Sequence, residues 1–225
     1  SGVDGDSGEV RGGAAPATLT VSFFRGKPGH YLLPGRAYRG ELRVIDIGIP
    51  ESTLNTIEPT QWRNTPALWS ELLPARRASD HKYHRGHAGV AAGGVMTGAA
   101  WLAASAARRI GVGMLTIAAP AKVASTYRAV SPGWLVTDCD GSEDFSDAIS
   151  DPRRNAILVG PGHGLGARTR AYVEAALATS KAVVLDADAL TMFAGQFEEL
   201  AFRIGGPLVI TPHDGEFARL FPDLM

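Results

Sequence analysis

LVITPHDGEFARL, residues 208–220, begins as an apolar run, turns polar at Thr211 and ends in a helix-like pattern. Such a stretch reads as a strand that opens at its carboxyl end onto a turn. Glu216 suits the first turn of the helix that follows, where a carboxylate meets the positive end of the helix dipole. The same order of elements recurs upstream. Short apolar runs lie at 88–92 (AGVAA), 114–118 (MLTIA), 156–160 (AILVG) and 182–186 (AVVLD), with helical stretches predicted at 99–109, 168–179 and 190–203. Runs this apolar on both faces belong to a parallel sheet covered by helices. The expected class is therefore α/β, a parallel sheet with flanking helices.

Open α/β sheets bind ligands beyond the carboxyl ends of their strands. Here those ends read Gly93-Gly94, Gly160-Pro161-Gly162-His163-Gly164, Asp186-Ala187-Asp188 and Thr211-Pro212-His213-Asp214. Glycines let backbone N–H groups approach a phosphate, although each glycine turn taken singly is equally a plain strand-to-helix connection. Asp186 suits a hydroxyl or a water on Mg²⁺. Asp188 is expected to cap the next helix. His213 is placed to donate a hydrogen bond to a phosphate or sugar, with an ordinary turn histidine as the alternative.

Other features bound the reading. The 225 residues carry a formal charge of -1, which gives no electrostatic reason to expect nucleic acid or an anionic membrane. No apolar run approaches the roughly 20 residues that span a bilayer. The single Cys139 excludes an internal disulfide and fits a reducing, cytoplasmic setting. It has no activating cation beside it in sequence and is expected to be inert. In HKYHRGH, residues 81–87, a metal site is disfavoured. His81 and His84 would share a helix face, but His87 would lie opposite, and Gly86 argues against a helix. A basic loop serving an anionic ligand is the better expectation. Upstream, LTVSFF (19–24) and LRVIDI (42–47) read as strands with a turn at Lys27–His30, and a Pro-broken segment follows with Trp62 and Trp69 as anchors.

Set side by side, HKYHRGHAGVAAGGVMTGAAWLAASAARRIGVGMLTIAAP, ILVGPGHG, VVLDADAL and VITPHDGEFARL resemble, in this order, the ADP-dependent NAD(P)H-hydrate dehydratase family, which has a ribokinase-like fold. SGVDGDSGEV, LTVSFFRGKPGH and RVIDIGIP resemble the tail of the Rossmann-like NAD(P)H-hydrate epimerase domain. The resemblance implies an epimerase part at 1–55, a linker at 56–80 and a dehydratase part at 81–225. It implies hydrate contacts at Ala99, Gly162, Gly164 and His213, and a potassium ligand at Ser1. The implied cofactors are ADP or ATP, Mg²⁺ and K⁺, and the implied ligands are NADH or NADPH hydrate and an adenine nucleotide. A homo-oligomer is compatible with it.

The expected chemistry is repair. A phosphoryl group turns the C6 hydroxyl of the hydrate into a leaving group, and elimination restores the reduced nicotinamide, while epimerisation lets both C6 epimers be rescued. The ends read as internal to a longer protein. The family's later glycine-rich Gly-Asp motif, which carries its catalytic Asp, falls beyond Met225, so the sheet is expected to be incomplete and the chain inactive alone. A ribokinase-like small-molecule kinase and a non-catalytic nucleotide-binding module are the rivals. The epimerase-like first segment favours repair.

Overall fold

A computed structural model describes residues 2–75 and 77–224. The chain forms two compact units, Ser1–Ala75 and Arg76–Met225.

In the second unit, strands β3 (His87–Ala91), β4 (Met114–Ala119), β5 (Leu135–Asp138), β6 (Ala156–Val159), β7 (Ala182–Leu185) and β8 (Leu208–Ile210) form one sheet in the order β5-β4-β3-β6-β7-β8. Every pairing is parallel, with Val90 opposite Ile117 on one side and Leu158 on the other. Period-two alternation divides the core between the two faces. Val90, Ala92, Leu115, Ile117 and Ala119 pack on one face with Ala100 and Ala104 of α3 (Thr97–Ile110) and Ala124 and Tyr127 of α4 (Ala121–Val130). Ala91, Ala118, Ile157, Val159 and Leu185 pack on the other. Their partners come from α5 (Ser142–Ser150), α6 (Ala167–Leu177), α7 (Asp188–Thr191), α8 (Phe197–Phe202) and α9 (Asp214–Leu220). The alanine stripe on α3 has no bulk to hold the helix away from the sheet.

The chain moves outward from β3 through β4 to β5, then returns to the other side of β3 and continues through β6 to β8. The order therefore reverses between β3 and β6, and the crevice at such a switch point is where doubly wound sheets hold ligands.

The structure departs from the expected elements at several points. Residues 190–203 form two short helices, α7 and α8, rather than one. The intervening Gly195 gives its N–H to the Arg219 carbonyl at 2.7 Å, and Phe193 is fully buried. Strand β5 and helices α4 and α5 have no counterpart among the expected elements: β5 is a largely exposed edge of four residues, LVTD, with little apolar signal. In the first unit, β1 (Leu19–Phe23) and β2 (Glu41–Ile45) pair in parallel, Leu19 opposite Glu41 and Phe23 opposite Ile45. Lys27–His30 is thus one turn of a longer crossover that also holds α1 (Gly35–Tyr38), not a direct link.

Residues 50–73 carry 3₁₀ turns and the single-turn helix α2 (Leu54–Ile57), and their Trp62 and Trp69 are exposed rather than buried anchors. Trp69 donates its indole N–H to Asn64 at 2.9 Å. Among the described residues no helix is long and apolar enough to cross a membrane.

Candidate functional site

The four loops that the sequence singled out lie in a row at the carboxyl ends of β3, β6, β7 and β8. Three intervals between neighbouring strands make that row roughly 14 Å wide.

At its centre the chain crosses itself at backbone distance. A Cβ on Gly93 would overlap the carbonyl of Gly162, and a Cβ on Gly162 (φ +73°) would overlap the carbonyl of Met96. The turn after β3 and the loop after β6 are therefore seated directly on one another, in a conformation that only glycine adopts without strain at Gly162. Ala99 is the third residue of α3, whose start this contact fixes. Tyr127, buried under the turn, donates its hydroxyl to the Thr97 carbonyl at 3.3 Å. The exposed Lys122 brings its side chain against Gly94, with Cε 3.2 Å from where a Cβ would stand.

The next link corrects the expectation for Asp188. Its Oδ2 accepts the Gly164 N–H at 2.7 Å, so the carboxylate ties the glycine loop to α7 and does not cap that helix. Thr169 closes the same loop by donating its hydroxyl to the Gly164 carbonyl at 2.7 Å. Between the two aspartates Ala187 takes φ +51°. This backbone costs a non-glycine residue energy and is concentrated at functional sites.

Asp186 accepts the Thr211 hydroxyl at 2.8 Å through Oδ1, joining the ends of β7 and β8. Two residues further on, His213 begins α9 in a reciprocal cap. Its Nδ1 accepts the N–H groups of Gly215 at 3.0 Å and Glu216 at 3.3 Å, and its own N–H donates to Glu216 Oε2 at 3.0 Å. An accepting Nδ1 places the ring proton on Nε2, which lies 3.4 Å from Glu216 Oε1. The ring is exposed, so the Nε2–H is open to a ligand acceptor. His213 thus has the capping role of a turn histidine and keeps the donor that a ligand would use.

His163, in the middle of the GPGHG loop, has no separate role legible in the sequence. It is 4% exposed, and neither ring nitrogen makes a well-aligned hydrogen bond among the described residues, the Ala91 backbone being its one polar neighbour of that kind. Its ring meets Tyr172 edge-on, with centroids 5.6 Å apart. Burial holds the imidazole pKa below its ordinary value, so the ring is neutral at neutral pH. Tyr172 in turn contacts Cys139 Sγ at 3.1 Å, and burial raises the thiol pKa, as an inert cysteine requires.

The histidines of the 81–87 loop separate. His81 and His84 stack with ring centroids 3.6 Å apart, whereas His87 is buried on β3 with Nε2 2.7 Å from the Thr116 hydroxyl. Ser1 lies outside the described residues.

The family model for NAD(P)H-hydrate dehydratases matches residues 88–225. This chain belongs to that family. Curated relatives extend the similarity across the whole chain. A bifunctional NAD(P)H-hydrate repair enzyme of Pyrobaculum aerophilum is 36% identical over 98% of this chain and 43% of its own length. The corresponding enzyme of Synechocystis sp. is 32% identical over 100% of this chain and 44% of its own. The chain thus spans less than half the length of these relatives. Among solved structures, the ADP/ATP-dependent NAD(P)H-hydrate dehydratase of Bacillus subtilis, co-crystallised with ATP and Mg²⁺, is 33% identical. It superposes with a TM-score of 0.57 over 68% of this chain and 55% of its own. A ribokinase-like protein of Enterococcus faecalis, 24% identical with a TM-score of 0.58 over 70% of this chain and 55% of its own, confirms the fold.

Proposed function

We propose that the row of loops from Gly93 to His213 holds NADH or NADPH hydrate for an ADP- or ATP-dependent dehydration, with the first unit serving epimerisation of the hydrate. One observation carries this reading. The loops after β3 and β6 lock together at the switch point of a ribokinase-like sheet, and the Asp188 and Asp186–Thr211 bonds extend the row to His213. A footprint of roughly 14 Å suits an extended dinucleotide better than a small alcohol.

In this reading Ala99, Gly162 and Gly164 bring backbone close to the ligand, and His213 donates from Nε2. Lys122 supplies a positive charge beside the Gly94 turn. Asp186 has one oxygen held by Thr211 and is the oxygen donor that would orient a water of Mg²⁺. The metal, when bound, would neutralise charge on the transferring phosphoryl group. Ser1 is proposed as a potassium ligand of the epimerase part by resemblance.

Isothermal titration of the purified chain with NADH hydrate, NADH and a hydroxylated vitamin precursor tests the assignment. Saturable binding of the hydrate, at least ~10-fold tighter than the vitamin precursor, is expected (~1.4 kcal/mol). Tighter binding of the small alcohol would point to the kinase reading instead.

A further inference from the structure

The basic loop at 81–87 is not part of the row of loops just described. It lies where β3 begins, whereas the candidate site lies where β3 ends. There Lys82 and Arg85 line an open cleft of about 430 Å³ together with Arg108 and Arg109 from the last turn of α3, and Asp80 is its one carboxylate. The cleft thus gathers a net charge of +3 on a chain whose Lys+Arg and Asp+Glu counts are 22 and 23. We propose that this cleft binds a small polyphosphate anion, a di- or triphosphate group, at a site separate from the carboxyl-end loops.

The local duties of these residues do not account for the gathering. Arg108 has a structural role, since its Nη1 donates to the carbonyls of Val112 and Gly113, both at 3.1 Å, and closes the end of α3. A cation there also suits the negative end of the helix dipole. Lys82 and Arg85 arrive on a different segment, so the dipole does not explain them. Arg85 and Arg109 make no side-chain hydrogen bond or ion pair among the described residues, and Lys82 has the Tyr83 ring at 5.2 Å. Asp80 is engaged elsewhere, accepting the Arg77 N–H at 2.8 Å and lying 3.7 Å from His84.

Nor is the cleft an accident of loose side chains. Gly113 donates its N–H to the carbonyls of Arg85 and Gly86 at 3.2 and 3.1 Å, and Met114 donates to Gly86 at 3.1 Å. A Cβ on Gly113 would overlap the Lys82 carbonyl. The backbone that presents Lys82 and Arg85 is therefore tied to the backbone that follows Arg108 and Arg109.

The shape decides the ligand class. The open cleft, of about 430 Å³, falls in the roughly 300–1,000 Å³ range of small-molecule sites. Guanidinium groups suit phosphate oxygens in paired hydrogen bonds. One phosphate would leave part of this charge unanswered; two or three would not.

Calorimetric titration of the full chain with inorganic pyrophosphate, in ~20 mM salt where screening is weak, is the test, with sulfate as comparison. Saturable one-site binding is expected, tighter than sulfate and weakened at least ~10-fold by the double variant Arg85→Glu/Arg109→Glu. Lys122→Glu at the carboxyl-end loops should leave it unchanged. Should the charge reversal disturb the circular dichroism spectrum, Arg85→Gln/Arg109→Gln replaces it, with the same direction expected. Absence of saturable binding, equal affinity for sulfate, or undiminished binding in the neutralised variant would overturn the proposal. So would loss of binding in Lys122→Glu alone, which would move the anion to the carboxyl-end loops. The test probes a different end of the sheet from the hydrate titration, so either can fail without the other.

Discussion

The centre of the candidate site and its rim are built on different physics. At the centre, between β3 and β6, position is set by exclusion: Gly93, Gly162 and Met96 meet at backbone distance and leave no room for an added side chain. At the rim, beyond β8, position is set by hydrogen bonds that water can reach: Thr211 on Asp186, and the reciprocal cap of His213 with Glu216. Packing of the first kind tolerates no added methyl group, whereas hydrogen bonds of the second kind can be removed singly at modest cost. Ligand affinity at the rim should therefore be tunable by substitution, and at the centre it should not.

The largest effect is expected from Gly93→Ala or Gly162→Ala. Each inserts a Cβ into backbone that has no alternative position, and Gly162 adds a left-handed φ. A loss of at least about 3 kcal/mol is expected in urea denaturation, at the upper end of what single substitutions do. A loss below about 1 kcal/mol would show that the two loops separate easily and that the centre is no more rigid than the rim.

Next comes His163, whose buried imidazole sits inside the loop of the centre. Its folded pKa is depressed from 6.5, chiefly by burial. Neutral His163 therefore contributes fully above the unfolded pKa, and the contribution is lost as pH falls from there through the folded value. Melting temperature should drop on acidification below about 6.5. Because His87 is depressed for the same reason, His163→Leu should flatten the profile without levelling it. A poorly satisfied buried polar group costs up to about 1–3 kcal/mol, so the variant should lose less stability than the parent as pH falls. An unchanged pH profile in His163→Leu would mean that the ring reaches water without moving the loop.

The contrast between centre and rim also explains what the sequence disclosed. Apolar runs such as AILV and AVVL announce buried parallel strands through composition alone, and the glycines and polar residues that end them mark the carboxyl edge. His213 was legible because TPHDGE is a local turn whose bonds span three residues. The longer links were not. That Asp188 serves Gly164, 24 residues away, depends on β6 and β7 being neighbours, which no local pattern states. The exposed edge β5 has too few apolar residues to register, and the basic cleft exists only because Gly113 lets the segment before β3 lie against the end of α3.

At the rim, Thr211→Val should cost about 1 kcal/mol, the worth of one partly exposed hydrogen bond, and should weaken hydrate binding through the released Asp186. His213→Ala removes the cap of α9 as well as the Nε2 donor. Caps are worth about 0.5–2 kcal/mol, so a slightly lower melting temperature is expected alongside weaker binding. A stability loss with hydrate affinity unchanged would leave His213 a capping residue and nothing more.

The smallest effect on stability belongs to Val209. It sits mid-way along β8, the last strand of the sheet among the described residues, and is 57% exposed. Its side chain buries little, so Val209→Lys should change folding free energy by no more than about 0.5 kcal/mol, as surface substitutions do. Its effect should appear instead in self-association. A strand edge of apolar residues offers unpaired N–H and C=O groups to any other chain, and a lysine there is one of the devices that blunts such pairing. Sedimentation velocity of the 225-residue chain over a range of concentrations should show less association for the variant than for the parent. Equal association in the two would mean that contacts between copies form elsewhere, and that the β8 edge is quiet despite its composition. Together with the Thr211 and His213 variants, that result would separate the rim's role in holding ligand from its exposure as a sheet edge.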